Sequence, residues 1–178
     1  MPINHQNLKG AIHLELWDAY DEDENLMGRD LLRDEPVPKG LYHLVVTILV
    51  RHVDGEYLLM QRDFSKKSYP GYLEATAGGS VLKGETPIEA ATREVNEETG
   101  LSIFGLQLLD KVKYDYGDIY YCYWAKTADD KNSVTLQQGE TIDFKWVNEN
   151  QLLEFTDSEN CIPIVRERLK RYIFQIKG

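Results

Sequence analysis

The segment from Thr86 to Gly100 constrains the fold of this chain more than any other, because both of its ends are written in helix-capping chemistry. Thr86 is a good N-cap, Pro87 suits the first helical position, and Glu89 falls three residues after the cap to complete a capping box. Gly100 supplies the matching C-terminal stop. The spacing therefore predicts a helix from Thr86 to Thr99. Each helical residue advances by about 100°, so Glu94, Glu97 and Glu98 fall within roughly a third of a turn of one another. Ile88, Ala91 and Val95 form the apolar stripe, and the three carboxylates flank it, which places them at the edge of a core.

Such crowding has a physical cost. Like charges at these spacings repel by a few tenths of a kcal/mol per pair, and Glu85 and Glu89 add further negative charge just before and within the first turn. Partial burial makes uncompensated charge costlier still. One reading is a solvated acidic face. The other is a cation site, since Mg²⁺ prefers oxygen ligands, keeps several waters and commonly bridges carboxylates to substrate phosphates. Gly78-Gly79, just upstream, read as a loop of unusual backbone freedom that lets main chain approach a ligand, and Arg93 is placed to hold a carboxylate by a bidentate contact.

Around this helix the chain alternates between strands and turns. Residues 12–20 and 26–33 read as a hairpin joined by the acidic turn Asp21-Glu22-Asp23-Glu24-Asn25, read as solvated. His43–His52 and residues 57–61 read as central strands joined at Val53-Asp54-Gly55-Glu56, and Pro70-Gly71 precedes a short strand near 72–76. After the helix come strands at 106–114, 119–125 and 141–147, then closing helices at 148–155 and 161–176, the second with Ile164, Leu169, Ile173 and Phe174 on its apolar side.

The 178 residues suffice for one domain with an extension, divided here as residues 1–40, an N-terminal β-hairpin, and 41–178. A formal net charge of −10 excludes a protein that holds nucleic-acid duplex by neutralising its backbone, but not one that binds a small phosphorylated ligand in a metal-filled pocket. Cys122 and Cys161 are too far apart in sequence for a redox pair or zinc site and read as inert thiols. The first ten residues, MPINHQNLKG, lack a signal-peptide pattern, and no apolar run is long enough to span a bilayer, so a cytoplasmic location is expected.

Gly79, Glu85, Arg93, Glu94, Val95, Glu97, Glu98, Gly100 and Leu101 together fill every defined position of the Nudix box: Gly79, five residues, Glu85, seven residues, then Arg93-Glu94-Val95-Asn96-Glu97-Glu98-Thr99-Gly100-Leu101. The chain thus resembles the Nudix hydrolase superfamily over residues 41–176. Residues Trp17 to Arg33, Tyr42-His43 and Ala77-Gly78-Gly79-Ser80 more closely resemble the subgroup related to isopentenyl diphosphate isomerase. The resemblance implies an α/β (α+β) fold, a mixed β-sheet sandwiched between α-helices, here with an N-terminal β-hairpin extension. It also implies hydrolysis of a diphosphate linkage with Mg²⁺, for which Mn²⁺ is a substitute. Glu94, Glu97, Glu98 and the Gly79 carbonyl would bind the metal, with Glu97 or Glu98 innermost, while Arg93 and Glu85 orient the carboxylates. Family members recruit the general base from different positions; Glu140, before a late strand, is the candidate here, with a plain loop carboxylate as its alternative.

The expected activity is hydrolysis of a nucleoside di- or triphosphate or related derivative, with two alternatives. An isomerase of the isopentenyl-diphosphate type carries a cysteine just before the box glycine and a metal-ligand histidine just after it, where this chain has Gly78 and Ser80. A non-catalytic module sensing a nucleotide diphosphate is the second, disfavoured by the complete carboxylate set. No proline occurs between Pro87 and Pro163, so the mark of ADP-ribose-cleaving members is missing. His43 reads as structural, Tyr114, Tyr116, Tyr120, Tyr121 and Tyr123 as sheet packing in preference to base stacking, and Arg62, Lys66 and Lys67 as candidate phosphate contacts. The hairpin is a candidate either for homodimerisation or for covering the pocket.

Overall fold

The computed structural model describes residues 15–177. Its centre is β3 (His43–His52), whose apolar residues are buried on both faces. Alternate side chains of a strand point to opposite faces, so Val46, Ile48 and Val50 meet Leu58 and Met60 under one layer while Leu49 meets Tyr57 and Leu59 under the other. The two-sided burial explains the near-continuous Val/Leu/Ile run. Each such side chain contributes about 1.5–3 kcal/mol through burial.

β3 pairs antiparallel with β6 (Thr76–Ser80) and, at Arg51, with β4 (Tyr57–Arg62), and parallel with β8 (Asp118–Thr127). β7 (Phe104–Tyr114) lies outside β8, and β5 (Leu73–Glu74) and β9 (Thr141–Val147) both pair with β4. A parallel pair needs a long crossover, and the crossover from β3 to β8 carries α1 (Pro87–Thr99). Helix α1 covers one face through Ala90, Ala91 and Val95, and α2 (Glu149–Asp157) and α3 (Pro163–Lys177) cover the other through Leu152, Leu169 and Ile173. A mixed sheet between helices results, as expected. Among the described residues no helix is long and apolar enough to cross a membrane.

The ends of α1 fall where the capping chemistry puts them: the Thr86 hydroxyl accepts from the Glu89 N–H, the Glu89 carboxylate accepts from the Thr86 N–H, and Gly100 adopts φ +72°. The expected stripe is corrected at one position, since Ile88 is 61% exposed and Ala90 and Thr99 are buried beside Ala91 and Val95. Ile88 has the right angular position but lies in the first turn of the helix, exposed to solvent. In α3 Ile164 and Phe174 are likewise exposed, while Arg168, Leu169, Tyr172 and Ile173 are buried.

β1 (Leu16–Tyr20) and β2 (Leu26–Leu32) form the N-terminal hairpin; residues 12–14 of the expected first strand lie outside the described residues. Trp17 stacks on His43 with ring centroids 3.9 Å apart, Tyr20 and Tyr42 exchange backbone hydrogen bonds at 2.8 Å, and the Leu16 carbonyl accepts from the Lys83 N–H at 2.9 Å. Its own small cluster of Trp17, Ala19 and Leu31 packs on Val37, Leu41 and Leu82. The acidic turn is only partly solvated: Glu24 pairs with Lys111 at 2.7 Å and accepts from the Tyr121 hydroxyl. Lys83 and Leu82 tie the hairpin to the loop that precedes α1, and Glu24 ties its turn to β7 and β8.

Candidate active site

Arg93 organises the carboxylates of α1. Its Nε and Nη2 donate to the two oxygens of Glu85 at 2.8 and 2.9 Å, the planar fork that arginine alone provides. Nη1 reaches Glu94 at 2.7 Å and Glu97 at 3.1 Å, and Nη2 also donates to the Ser80 carbonyl at 3.0 Å. One guanidinium thus gathers three of the box acids and the end of β6. Burial works to raise the Glu85 carboxyl, but the Arg93 fork and the Leu82 N–H together hold it below the usual carboxylate range. Glu94, more deeply placed, is raised by burial despite Arg93.

Glu98 stands apart from this network. It is nearly enclosed, and its contact is the Gly78 N–H at 3.3 Å. Burial first, then the charges of Glu94 and Glu74, push its carboxyl up to about 8. Among the described residues no lysine, arginine or histidine pairs with it. A buried carboxylate left without a counter-charge is costly unless something positive joins it.

Two adjoining cavities meet at this residue. One, of about 600 Å³, is lined by Gly79, Arg93, Glu94, Glu97 and Glu98, with Glu15, Leu16 and Arg33 of the hairpin side as part of its wall. The other, of about 410 Å³, runs under β3 and α3 past Arg62, Lys66, Tyr114, Tyr116, Tyr120 and Arg168. Glu98, Glu140, Gly78, Gly79 and Arg33 line both. Glu140 is ion-paired with Lys66, and Arg62 with Glu74 at 2.7 Å. Lys67 is exposed and lines neither cavity, and Tyr121 and Tyr123 also lie outside them.

Gly78 and Gly79 do not form a loop. Both sit in β6, opposite Thr47 and Val46, without a left-handed backbone, so conformational freedom is not what glycine supplies here. The reason is space: a Cβ at Gly78 would lie 2.1 Å from the Val46 carbonyl oxygen, and one at Gly79 would lie 2.3 Å from a Glu94 carboxylate oxygen. These two clashes predict different phenotypes. Gly78→Ala must displace backbone and is expected to lower Tm by several degrees or abolish folding. Gly79→Ala meets only a side chain and is expected to fold, with Tm within a few degrees of wild type, while hydrolysis drops at least tenfold because Glu94 is pushed aside. Thermal melts and rates on the two variants check both.

Among the described residues no three acidic, histidine or cysteine side chains already enclose a single point, because Glu94 and Glu97 are turned toward Arg93. The donor set nevertheless fits a hard divalent cation: every side-chain donor is oxygen, and Glu98 lies half-buried beside the others without a positive partner. The hairpin residues Glu15 and Arg33 and the buried Arg168 were not anticipated. For Arg168 a signal existed: Val165, Arg168, Leu169, Tyr172, Ile173 and Ile176 form an i, i+3, i+4, i+7 stripe in which an arginine is out of place.

Residues 41–167 match the NUDIX domain. An uncharacterized Nudix hydrolase from Listeria monocytogenes is 34% identical over 151 residues, covering 84% of this chain and 89% of that protein. An isopentenyl-diphosphate Delta-isomerase from Streptomyces avermitilis is 29% identical over 123 residues, 66% of this chain and 62% of that one. In three dimensions the crystal structure of DR0079 from Deinococcus radiodurans superposes with a TM-score of 0.70 at 22% identity, covering 88% of this chain and 98% of that one.

Proposed function

We propose that this chain, which belongs to the Nudix hydrolase family, is a Mg²⁺-dependent enzyme that cleaves the diphosphate linkage of a nucleoside di- or triphosphate or a related nucleoside diphosphate derivative. One observation carries the metal assignment: the enclosed, unpaired Glu98 carboxylate at the junction of two cavities, beside Glu94 and Glu97. Residues 41–178 carry the chemistry in this reading, with the hairpin of the 1–40 segment as a wall of the substrate pocket.

Glu94, Glu97, Glu98 and the Gly79 carbonyl would hold the cation. When bound, Mg²⁺ supplies Lewis-acid stabilisation of the charge that gathers on phosphate oxygens. Glu85 fixes Arg93, and Arg93 holds Glu94 and Glu97 beside Glu98, from where they would turn to meet the cation. Glu140, which lines both cavities, accepts the proton of the attacking water, and Lys66 positions it. In-line attack then breaks one phosphoanhydride bond.

Isomerisation finds less support. A cysteine at position 78, as in the isomerase pattern, has no room, since even a Cβ there meets the Val46 carbonyl. Phosphate release from a panel of nucleoside di- and triphosphates, with Mg²⁺, with Mn²⁺ and with EDTA, tests the proposal. Turnover with either metal and none with EDTA is expected. Tight binding of a diphosphate with no turnover of any would instead identify a sensor.

A further inference from the structure

Among the described residues that line these two cavities, Arg168, on α3, is the one cation that no carboxylate neutralises. Arg33 is paired with Glu15, Arg62 with Glu74 and Lys66 with Glu140. Arg168 is 9% exposed, its Nε is enclosed with no hydrogen-bond partner, and Nη1 reaches only the Cys122 sulfur at 3.9 Å. Asp118, the acidic group whose charge opposes that of Arg168 at Tyr116 and Tyr120, is itself turned to His43 at 3.1 Å. The guanidinium carbon lies 5.4 Å from the Tyr120 ring centroid, and Tyr120 meets Tyr114 edge-on at 5.4 Å. A cation–π contact contributes about 0.5–2 kcal/mol, well short of the several kcal/mol that enclosing an unpaired charge costs.

We propose that Arg168 is the recognition group of a second subsite in the 410 Å³ cavity, taking an oxyanion that the substrate carries beyond the diphosphate held at the box carboxylates. A neutral ligand would leave the buried charge uncompensated, whereas a phosphate or carboxylate matches both the charge and the planar fork of donors. The subsite opens on Glu98, Gly78 and Gly79, so one extended ligand occupies both cavities. Tyr114, Tyr116 and Tyr120 wall it, so these tyrosines serve as more than sheet packing. This assignment rests on the hydrolase reading for its substrate but not for its test.

The test uses the metal-free protein in EDTA, where the carboxylate cavity repels anions, titrated with inorganic phosphate and separately with acetate. Phosphate is expected to bind and raise Tm, and Arg168→Met to weaken that binding at least tenfold. Acetate bound with the same Arg168 dependence would make the oxyanion a carboxylate. Arg168→Met should melt no lower than wild type, because it removes an unpaired buried charge and keeps the volume. Arg168→Lys, which keeps charge but loses the fork, should fold and bind phosphate several-fold more weakly. On any diphosphate the enzyme turns over, both variants should raise KM more than they lower kcat. Equal anion binding in wild type and both variants would overturn the subsite, as would an Arg168→Met protein that melts several degrees lower with unchanged phosphate affinity. Absence of turnover on every diphosphate, with Arg168-dependent phosphate binding retained, would sink the hydrolase reading and leave the subsite standing.

Discussion

Glu98→Gln is expected to lower kcat by about 10²–10³-fold or more, the scale seen when one charge-stabilising group is removed from an active site, and at the same time to make the metal-free protein more stable. The two effects share a cause. Burial raises the folded carboxyl to about 8, so the folded state holds a proton that the unfolded chain releases near the ordinary glutamate value. Stability from the neutral form is complete below the unfolded value and is lost as pH rises through about 8. At neutral pH the penalty is roughly 3 kcal/mol, an upper figure because neighbours relax. Glutamine never charges, so the Tm gap between variant and wild type should be small near pH 4 and widen to several degrees by pH 8. Melts across that range, with rates at saturating Mg²⁺, check both halves. A variant that stays as active as wild type would remove the metal assignment, and a Tm gap independent of pH would remove the electrostatic account.

Arg93→Ala should carry a large cost in stability. Glu85 and Glu94, 15% and 13% exposed, would lose the guanidinium that neutralises them, and the Ser80 carbonyl would lose a donor. Breaking a buried pair from one side costs about 3–5 kcal/mol, which lowers Tm by about 10 °C in a protein of this size. Lysine, a point charge without a fork, should recover only part of it. The Glu85 carboxyl lies below its usual range, so its contribution is present above the unfolded value and fades as pH falls through the folded one. The deficit of Arg93→Ala should accordingly shrink in acid. A melting point within about 2 °C of wild type at neutral pH would show that solvent already screens these carboxylates.

The helix α1 was legible to the residue because its signals are local: Thr86, Pro87, Glu89 and Gly100 act on backbone groups within one turn of themselves. The strands His43–His52 and Thr141–Val147 are legible for a similar reason, the first as an apolar run and the second as an alternating segment between polar loops. Where the reading failed, the deciding partner was remote in sequence. Gly78-Gly79 looked like a loop because glycine suggests freedom, but strand β3 and the Glu94 carboxylate, which arrive from elsewhere in the chain, are what require it. Ile88 has the angle of a core residue without a covering neighbour, and Arg168 is a charged side chain inside an otherwise apolar stripe, which periodicity alone does not distinguish from a solvated position.

The sequence by itself determined the capped helix, the identity and spacing of its carboxylates, and the extent of the central strand His43–His52, since each depends on residues a few positions apart. Tertiary structure alone decided that Glu98 lies enclosed without a counter-charge, that Glu140 and Lys66 close the same space, that the hairpin walls the pocket, and that Arg168 faces the second cavity. Charge and chemistry are properties of side chains, but the cost of a charge depends on how much water its neighbours exclude, and those neighbours are assembled only when the sheet closes.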